Sequence, residues 1–229
     1  MGGGASLFYS NSDAGNIHKL SWIGTGKLRG KTIADIGCAA GSLLDLMSGL
    51  AEKIVAIEPS LTFREELKRK GFEVFGYADE AVAAHVQADL VTTFDVIEHV
   101  EDPSVFVKQI YELCKAGGHA IIGTPTEYAI ACELIGHDWN QFNFRYQHPW
   151  VLTKKALEIM AEDAGFTIEK TVYKQRYSLS NLLLWMKEKK PCGNKHLSFV
   201  SERLEEEFVK SCEEMEVADY ILIYLIKRS

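Results

Sequence analysis

The chain has 229 residues, 47% of them hydrophobic, enough for one large domain with an ample core. A formal net charge of −7 argues against wrapping a polyanion, since nucleic-acid binding calls for a basic footprint. No apolar run reaches membrane-span length, the opening MGGGASLFYS lacks the flank of a signal peptide, and five scattered cysteines without C-x-x-C point to a reducing cytoplasm rather than a disulfide or zinc framework.

The glycines at the start read as a flexible lead-in, and residues 1–29 form an N-terminal lid or helical segment. KTIADIG (31–37) is a strand, and SLLDLMSGLA (42–51) is a helix with Ser42 as its N-cap. KIVAIEP (53–59) is a buried strand, followed by an amphipathic helix, LTFREELKRKG (61–71), stopped by Gly71. FEVFGYA (72–78) and ADLVTTFD (88–95) are strands. DPSVFVKQIYELCKAGG (102–118) is a helix with Pro103 in its first turn and Gly117–Gly118 at its end, leading into the strand HAIIGTP (119–125). Residues 126–150 are aromatic-rich and irregular. A helix at 153–165, a strand at 166–173, a helical stretch at 178–217 broken at KPCGN, and a last strand at 219–227 complete the chain.

This order predicts the α/β class, with a doubly wound, mostly parallel seven-stranded sheet. The strands are continuous apolar runs, as burial on both faces requires. Residues 30–177 and 218–229 form the core, and 178–217 form a helical cap inserted before the last strand. Ligands of such sheets sit at the carboxyl ends of the strands, here Asp35–Gly41, Glu58–Pro59, Tyr77–Asp79, Phe94–His99 and Thr124–Thr126.

The turn IADIGCAAGS is not the dinucleotide fingerprint G-x-G-x-x-G. Its small residues allow close backbone approach. Glu58, ending the next strand, can accept hydrogen bonds from a ribose diol. Asp35 would repel a phosphate but suits an ammonium. A ribonucleoside with a cationic amino-acid tail fits both, and the competing reading is an ordinary tight turn. The glycine spacing and Asp35 disfavour a nicotinamide dehydrogenase.

IADIGCAAGS, IVAIEPS and DLVTTFDVIEHVEDP resemble the successive motifs of class I S-adenosylmethionine-dependent methyltransferases. The last motif, with GGHAIIGTPT, resembles the subgroup of ubiquinone-biosynthesis O-methyltransferases and small-molecule or sugar methyltransferases. The resemblance covers about residues 30–170 and implies a Rossmann-like methyltransferase fold. It implies Asp35 near the methionine ammonium and the backbone of Gly37, Cys38 and Gly41 along the methionine and ribose. It further implies Glu58 on the ribose hydroxyls, Pro59, Ala78 and Asp79 near the adenine, and Phe94 and Asp95 beside the sulfonium. Many members carry glycine where this chain has Ala39. The N-terminal segment, with Tyr9 and His18, corresponds to one that closes over the cofactor in relatives. Asp95, Glu98 and His99 resemble a divalent-metal set of some members. Mixed oxygen and imidazole ligands fit magnesium only loosely, so a divalent metal is the less favoured reading, against Glu98 and His99 beginning the next helix and satisfying its backbone.

Cys38, among the small residues of the turn, reads as a packing residue, and direct methyl transfer needs no nucleophilic thiol. In HDWNQFNFRYQHPW, the side chains of Trp139, Phe142, Phe144, Tyr146 and Trp150 form a candidate acceptor wall. His148, or alternatively His99, is the candidate general base, with a loop-fixing role as the competing reading of His148. His137 is a surface residue. Leu179, Leu182, Leu183 and Met186 recur at helical spacing and read as core, while the acidic run 201–216 is a solvated face.

The expected function is cytoplasmic S-adenosylmethionine-dependent methylation of a small molecule, with S-adenosylhomocysteine as product. A hydroxyl acceptor is favoured over an amine. The alternatives are a small-molecule or sugar-amine N-methyltransferase, a protein or RNA methyltransferase using a basic surface around Lys187–Lys195, and a non-catalytic cofactor-binding module. Neither a nucleic-acid nor a membrane partner is expected, and oligomeric state is not legible.

Overall fold

The computed structural model describes residues 3–143, 148–190, 192–193 and 195–228, with side chains from residue 12 onward. Helix α1 (Gly3–Ile23) precedes strand β1 (Thr32–Ile36), α2 (Ser42–Ser48), β2 (Lys53–Ile57), α3 (Leu61–Arg69) and β3 (Glu73–Phe75). Next come α4 (Ala78–Ala83), β4 (Ala88–Phe94), a 3-10 turn at Ile97–His99, α5 (Pro103–Leu113) and β5 (Cys114–Pro125). The chain ends with α6 (Ala129–Leu134), α7 (His137–Asn143), α8 (Lys154–Ala164), β6 (Thr167–Lys174), α9 (Leu179–Glu188), α10 (Glu202–Glu214) and β7 (Tyr220–Ile226).

The seven strands form one sheet in the order β3-β2-β1-β4-β5-β7-β6. The pairs among β1 to β5 are parallel, and β7 runs antiparallel to both β5 and β6. This is the expected doubly wound architecture. Successive strand residues point to opposite faces, so each strand feeds two cores. Ile33, Leu90, Ile121 and Leu222 pack with Ile23 of α1, Leu44 and Met47 of α2 and Leu67 of α3. Their neighbours Ala34, Val91, Ile122 and Ile223 pack with Phe106, Val107 and Ile110 of α5 and Leu157 of α8. Each fully buried aliphatic side chain contributes about 1.5–3 kcal/mol. A third cluster joins Tyr128, Ala131, Ile135 and Trp139 to Leu182 and Trp185 of α9, with Met186 and Phe208 against it.

Several local expectations are corrected. The start of the chain is helical from Gly3 rather than a flexible lead-in. Ser42 does not cap α2: the N-cap is Gly41, at φ 83°, and the Ser42 hydroxyl donates to Asp13 of α1. The expected strand 72–78 is only Glu73–Phe75, because Ala78 opens α4. The helix expected over 102–118 ends at Leu113. Lys227 Nζ donates to the carbonyls of Tyr111 and Cys114 there, at 2.9 Å each, satisfying the helix end. Gly117 and Gly118 belong to β5, where they exchange backbone hydrogen bonds with Lys227. The segment expected to be irregular holds α6 and α7, whose apolar sides are covered by α9, a partner that local sequence does not reveal.

Candidate active site

From β1 the chain winds outward through β2 and β3, then returns to lay β4 against the other side of β1. The loops leaving β1 and β4 therefore diverge and open a crevice at the carboxyl edge. Ile36 is in register with Ile57 on one side and Thr93 on the other, so Gly37, Glu58 and Phe94 begin their loops side by side.

The turn after β1 needs its small residues. Gly37 has φ 77°, and a Cβ there would stand 2.2 Å from Val96 Cγ2. Ala39 also lies in the left-handed region, at φ 48°, which costs an L-residue about 1–2 kcal/mol. The Ala39 N–H donates to Glu58 Oε2 at 2.9 Å, and the Ser60 N–H donates to Glu58 Oε1 at 2.8 Å. The carboxylate is thus fixed in direction, and a carboxylate accepts about four hydrogen bonds, so two sites remain for a diol. Asp35 is 3% exposed and accepts a 2.6 Å hydrogen bond from Thr92 Oγ1. Burial raises its pKa to about 6 against the opposing Thr92 bond. Burial also pushes the Cys38 thiol well up, so it stays protonated and packs, as its setting among small residues suggested.

Three cavities meet here. One of ≈ 800 Å³ runs from Gly37 and Glu58 along Pro59, Ala78 and Asp79 to Val105 of α5. A second, of ≈ 380 Å³, is walled by Asp35, Gly37, Cys38, Phe94 and, from α1, Asn16 and Lys19. A third, of ≈ 210 Å³, is lined by Glu98, His99, Trp139, Phe142, His148 and Arg176 among others. Asp95 lies on the walls of all three. Its φ of 60° turns the chain sharply after β4. Its carboxylate accepts from Lys19 Nζ at 2.9 Å and from Arg176 Nη1 at 3.3 Å.

In the smallest cavity the rings of His99 and His148 meet edge to face, with centroids 4.6 Å apart. Glu98 is 2% exposed and accepts from Thr124 Oγ1 at 2.9 Å, and its burial raises its pKa. Among the described residues no group of three His, Cys, Asp or Glu side chains is placed to hold a metal ion. Trp139 and Phe142 are on the cavity wall, whereas Trp150 is not: it is 41% exposed, and its Nε1 donates to the Val100 carbonyl at 2.9 Å. Phe144 and Tyr146 lie outside the described residues, and His137 is exposed. Gly41 touches none of these cavities, since its role is to turn the chain into α2, with a would-be Cβ 2.7 Å from Leu67 Cδ2.

Sequence reading missed Lys19, Thr92, Arg176 and Asp219. Thr92 carries a signal, since it alternates inward within β4 beside Asp35 on β1. The other three come from distant segments, and no local spacing links them to the turn.

A family model described as a methyltransferase domain matches residues 12–171. The chain is 31% identical over 168 residues to a ubiquinone biosynthesis O-methyltransferase of Thiobacillus denitrificans, covering 67% of this chain and 72% of that one. It is 34% identical over 113 residues to the protein of the same name in Pectobacterium carotovorum, covering 45% and 47%. The fold is that of a SAM-dependent methyltransferase from Archaeoglobus fulgidus (TM-score 0.62, 15% identity, 98% and 95% covered). It is also that of the magnesium protoporphyrin IX methyltransferase of Synechocystis solved with bound SAM (TM-score 0.56, 13% identity, 95% and 79% covered). The chain belongs to the methyltransferase domain family, as an S-adenosylmethionine-dependent methyltransferase of the class I fold.

Proposed function

We propose that the enzyme methylates a hydroxyl of a small-molecule acceptor held in the cavity of His99 and His148. The observation that carries this reading is Asp95, which walls both larger cavities and the histidine cavity. The larger cavities fit the cofactor: Gly37 lines both of them, and Glu58 keeps two acceptor sites for a diol. Asp35 and Lys19 both line the intermediate cavity, so it offers an acid to the ammonium and a base to the carboxylate of a zwitterionic methionine tail. Pro59, Ala78 and Asp79 border the adenine end. Relatives named as O-methyltransferases support the hydroxyl assignment.

When bound, S-adenosylmethionine supplies a methyl group made electrophilic by its sulfonium. The protein's part is positioning and proton removal. Glu58 and Asp35 orient the cofactor's ends, and Trp139 and Phe142 wall the acceptor. His148 accepts the hydroxyl proton at a ring nitrogen, with His99 packed against it. Helix α1 and the helical segment 178–217 act as lid and cap over this edge.

Titration calorimetry with S-adenosylhomocysteine, with NAD as control, tests the cofactor site. Micromolar binding of the former alone supports the reading, and loss of that binding in Glu58→Ala ties it to this crevice. For the acceptor site, His148→Ala is expected to lower turnover of a catechol probe while sparing cofactor affinity. Unchanged turnover removes His148 from the mechanism.

A further inference from the structure

Arg176 and Asp219 stand at the two ends of the segment that carries α9 and α10, one just after β6 and the other just before β7. They close that segment at its base. The Arg176 backbone N–H donates to Asp219 Oδ1 at 2.6 Å, and its Nε donates to Asp219 Oδ2 at 2.7 Å. Asp219 is 2% exposed, and its carbonyl accepts from the Thr126 N–H at 3.0 Å, so it is anchored in turn to the end of β5. The guanidinium lies 4.2 Å from the Tyr220 ring centroid, where a cation–π contact adds to the ion pair.

The far end of the same guanidinium reaches Asp95, with Nη1 donating to Oδ1 at 3.3 Å. Asp95 Oδ2 is held by Lys19 of α1. One line of charge, Lys19–Asp95–Arg176–Asp219, therefore runs from the N-terminal helix across the crevice to the base of the α9–α10 segment. Arg176 also lines the histidine cavity beside Tyr177. A planar, always-charged fork suits this double duty, since it pairs with two carboxylates at once.

We propose that Arg176 is a positioning residue that couples cofactor binding at Asp95 to the order of the α9–α10 segment and hence to the acceptor wall. This inference rests on the cofactor placement proposed above. A ligand lodged between Gly37 and Asp95 restricts the Asp95 side chain. Once Asp95 is restricted, holding Arg176 against it costs less conformational freedom, and the segment tied to Arg176 is ordered as well. Neither the Arg176–Asp219 pair nor the Asp95 contact alone would do this, because the first does not touch the cofactor cavities and the second does not reach the segment's far end.

Amide hydrogen exchange of the full chain with and without saturating S-adenosylhomocysteine tests the coupling, comparing wild type, Arg176→Met and Arg176→Lys. In the wild type, exchange slows by at least about threefold both at residues 37–41 and in α9 and α10. In Arg176→Met, slowing persists at 37–41 while the change in α9 and α10 is lost. Arg176→Lys, which keeps the charge but not the fork, restores part of the change in α9 and α10. Ligand-free exchange in α9 and α10 is read first, and Arg176→Lys, which keeps a positive charge beside the buried Asp219, separates lost coupling from lost local stability. Wild-type α9 and α10 that ignore the ligand while 37–41 respond would overturn the coupling. So would an Arg176→Met protein that keeps the full response. No response at 37–41 in the wild type would instead remove the cofactor placement, and the coupling with it.

Discussion

Asp35→Asn is expected to make the ligand-free protein more stable and the cofactor site weaker. Burial lifts the Asp35 pKa from an ordinary 3.8 to about 6, so near neutral pH the fold holds a carboxylate it would rather protonate. A shift of about two units is worth about 3 kcal/mol at 1.36 kcal/mol per unit, an upper bound that relaxation reduces to about 1–3 kcal/mol. Because the folded pKa is the higher one, the penalty is complete above pH 6, shrinks as pH falls from 6 to 3.8, and is absent below. The amide keeps an acceptor for Thr92 Oγ1, which donates at 2.6 Å, and removes the charge. Urea unfolding at about pH 8 should therefore show the Asp35→Asn variant gaining about 1–3 kcal/mol, with the gain fading by about pH 4.5. In S-adenosylhomocysteine titrations the variant should lose about 1.5–3 kcal/mol, the worth of a charge-assisted hydrogen bond to the ligand ammonium. A variant that is less stable near pH 8, or one that binds the ligand as tightly as wild type, refutes the assignment of Asp35 as a strained site carboxylate.

The same carboxylate makes wild-type affinity for S-adenosylhomocysteine pH-dependent: it should hold from about pH 8 to about 6 and then fall by up to about tenfold per unit as Asp35 protonates, and a flat calorimetric profile to about pH 5 counts against the ammonium contact. Gly37→Ala places a Cβ 2.2 Å from Val96 Cγ2 at φ 77°, and thermal unfolding should report a loss of about 2–4 kcal/mol, partly recovered with Val96→Ala. Glu58→Ala removes the acceptor for two backbone N–H groups as well as the diol contact, so cofactor affinity should weaken by about 1–3 kcal/mol in calorimetry. Ala39→Gly relieves a left-handed alanine and should stabilise by up to about 1 kcal/mol in urea, while a loss would show that φ 48° is not strained.

The sheet and one side of the site were legible because their signals are local. Buried parallel strands must be apolar throughout, and a turn that lets a ligand touch the backbone must be built of small residues. Asp35, Gly37, Glu58 and Asp95 each sit at the end of a strand that the pattern predicts, and strand ends converge in this topology whatever the intervening helices are. The wall of the histidine cavity was legible only as composition. Trp139 and Phe142 line the histidine cavity, yet Trp150, from the same aromatic run, is spent on the Val100 carbonyl outside it. Nothing in a run of aromatics says which ring faces inward, because that depends on where α9 lies.

By itself, the sequence determined the alternation of strands and helices, the doubly wound sheet and the small-residue turn after β1, and its motifs carried the family resemblance. The first three depend on periodicity and on backbone constraints that act within a few residues. Only the tertiary structure decided that Lys19, Asp95, Arg176 and Asp219 form one line of charge, that His99 and His148 share a cavity, and that Asp35 is buried enough to resist ionisation. Charge pairing and desolvation depend on distance through space, and the groups concerned lie up to two hundred residues apart along the chain.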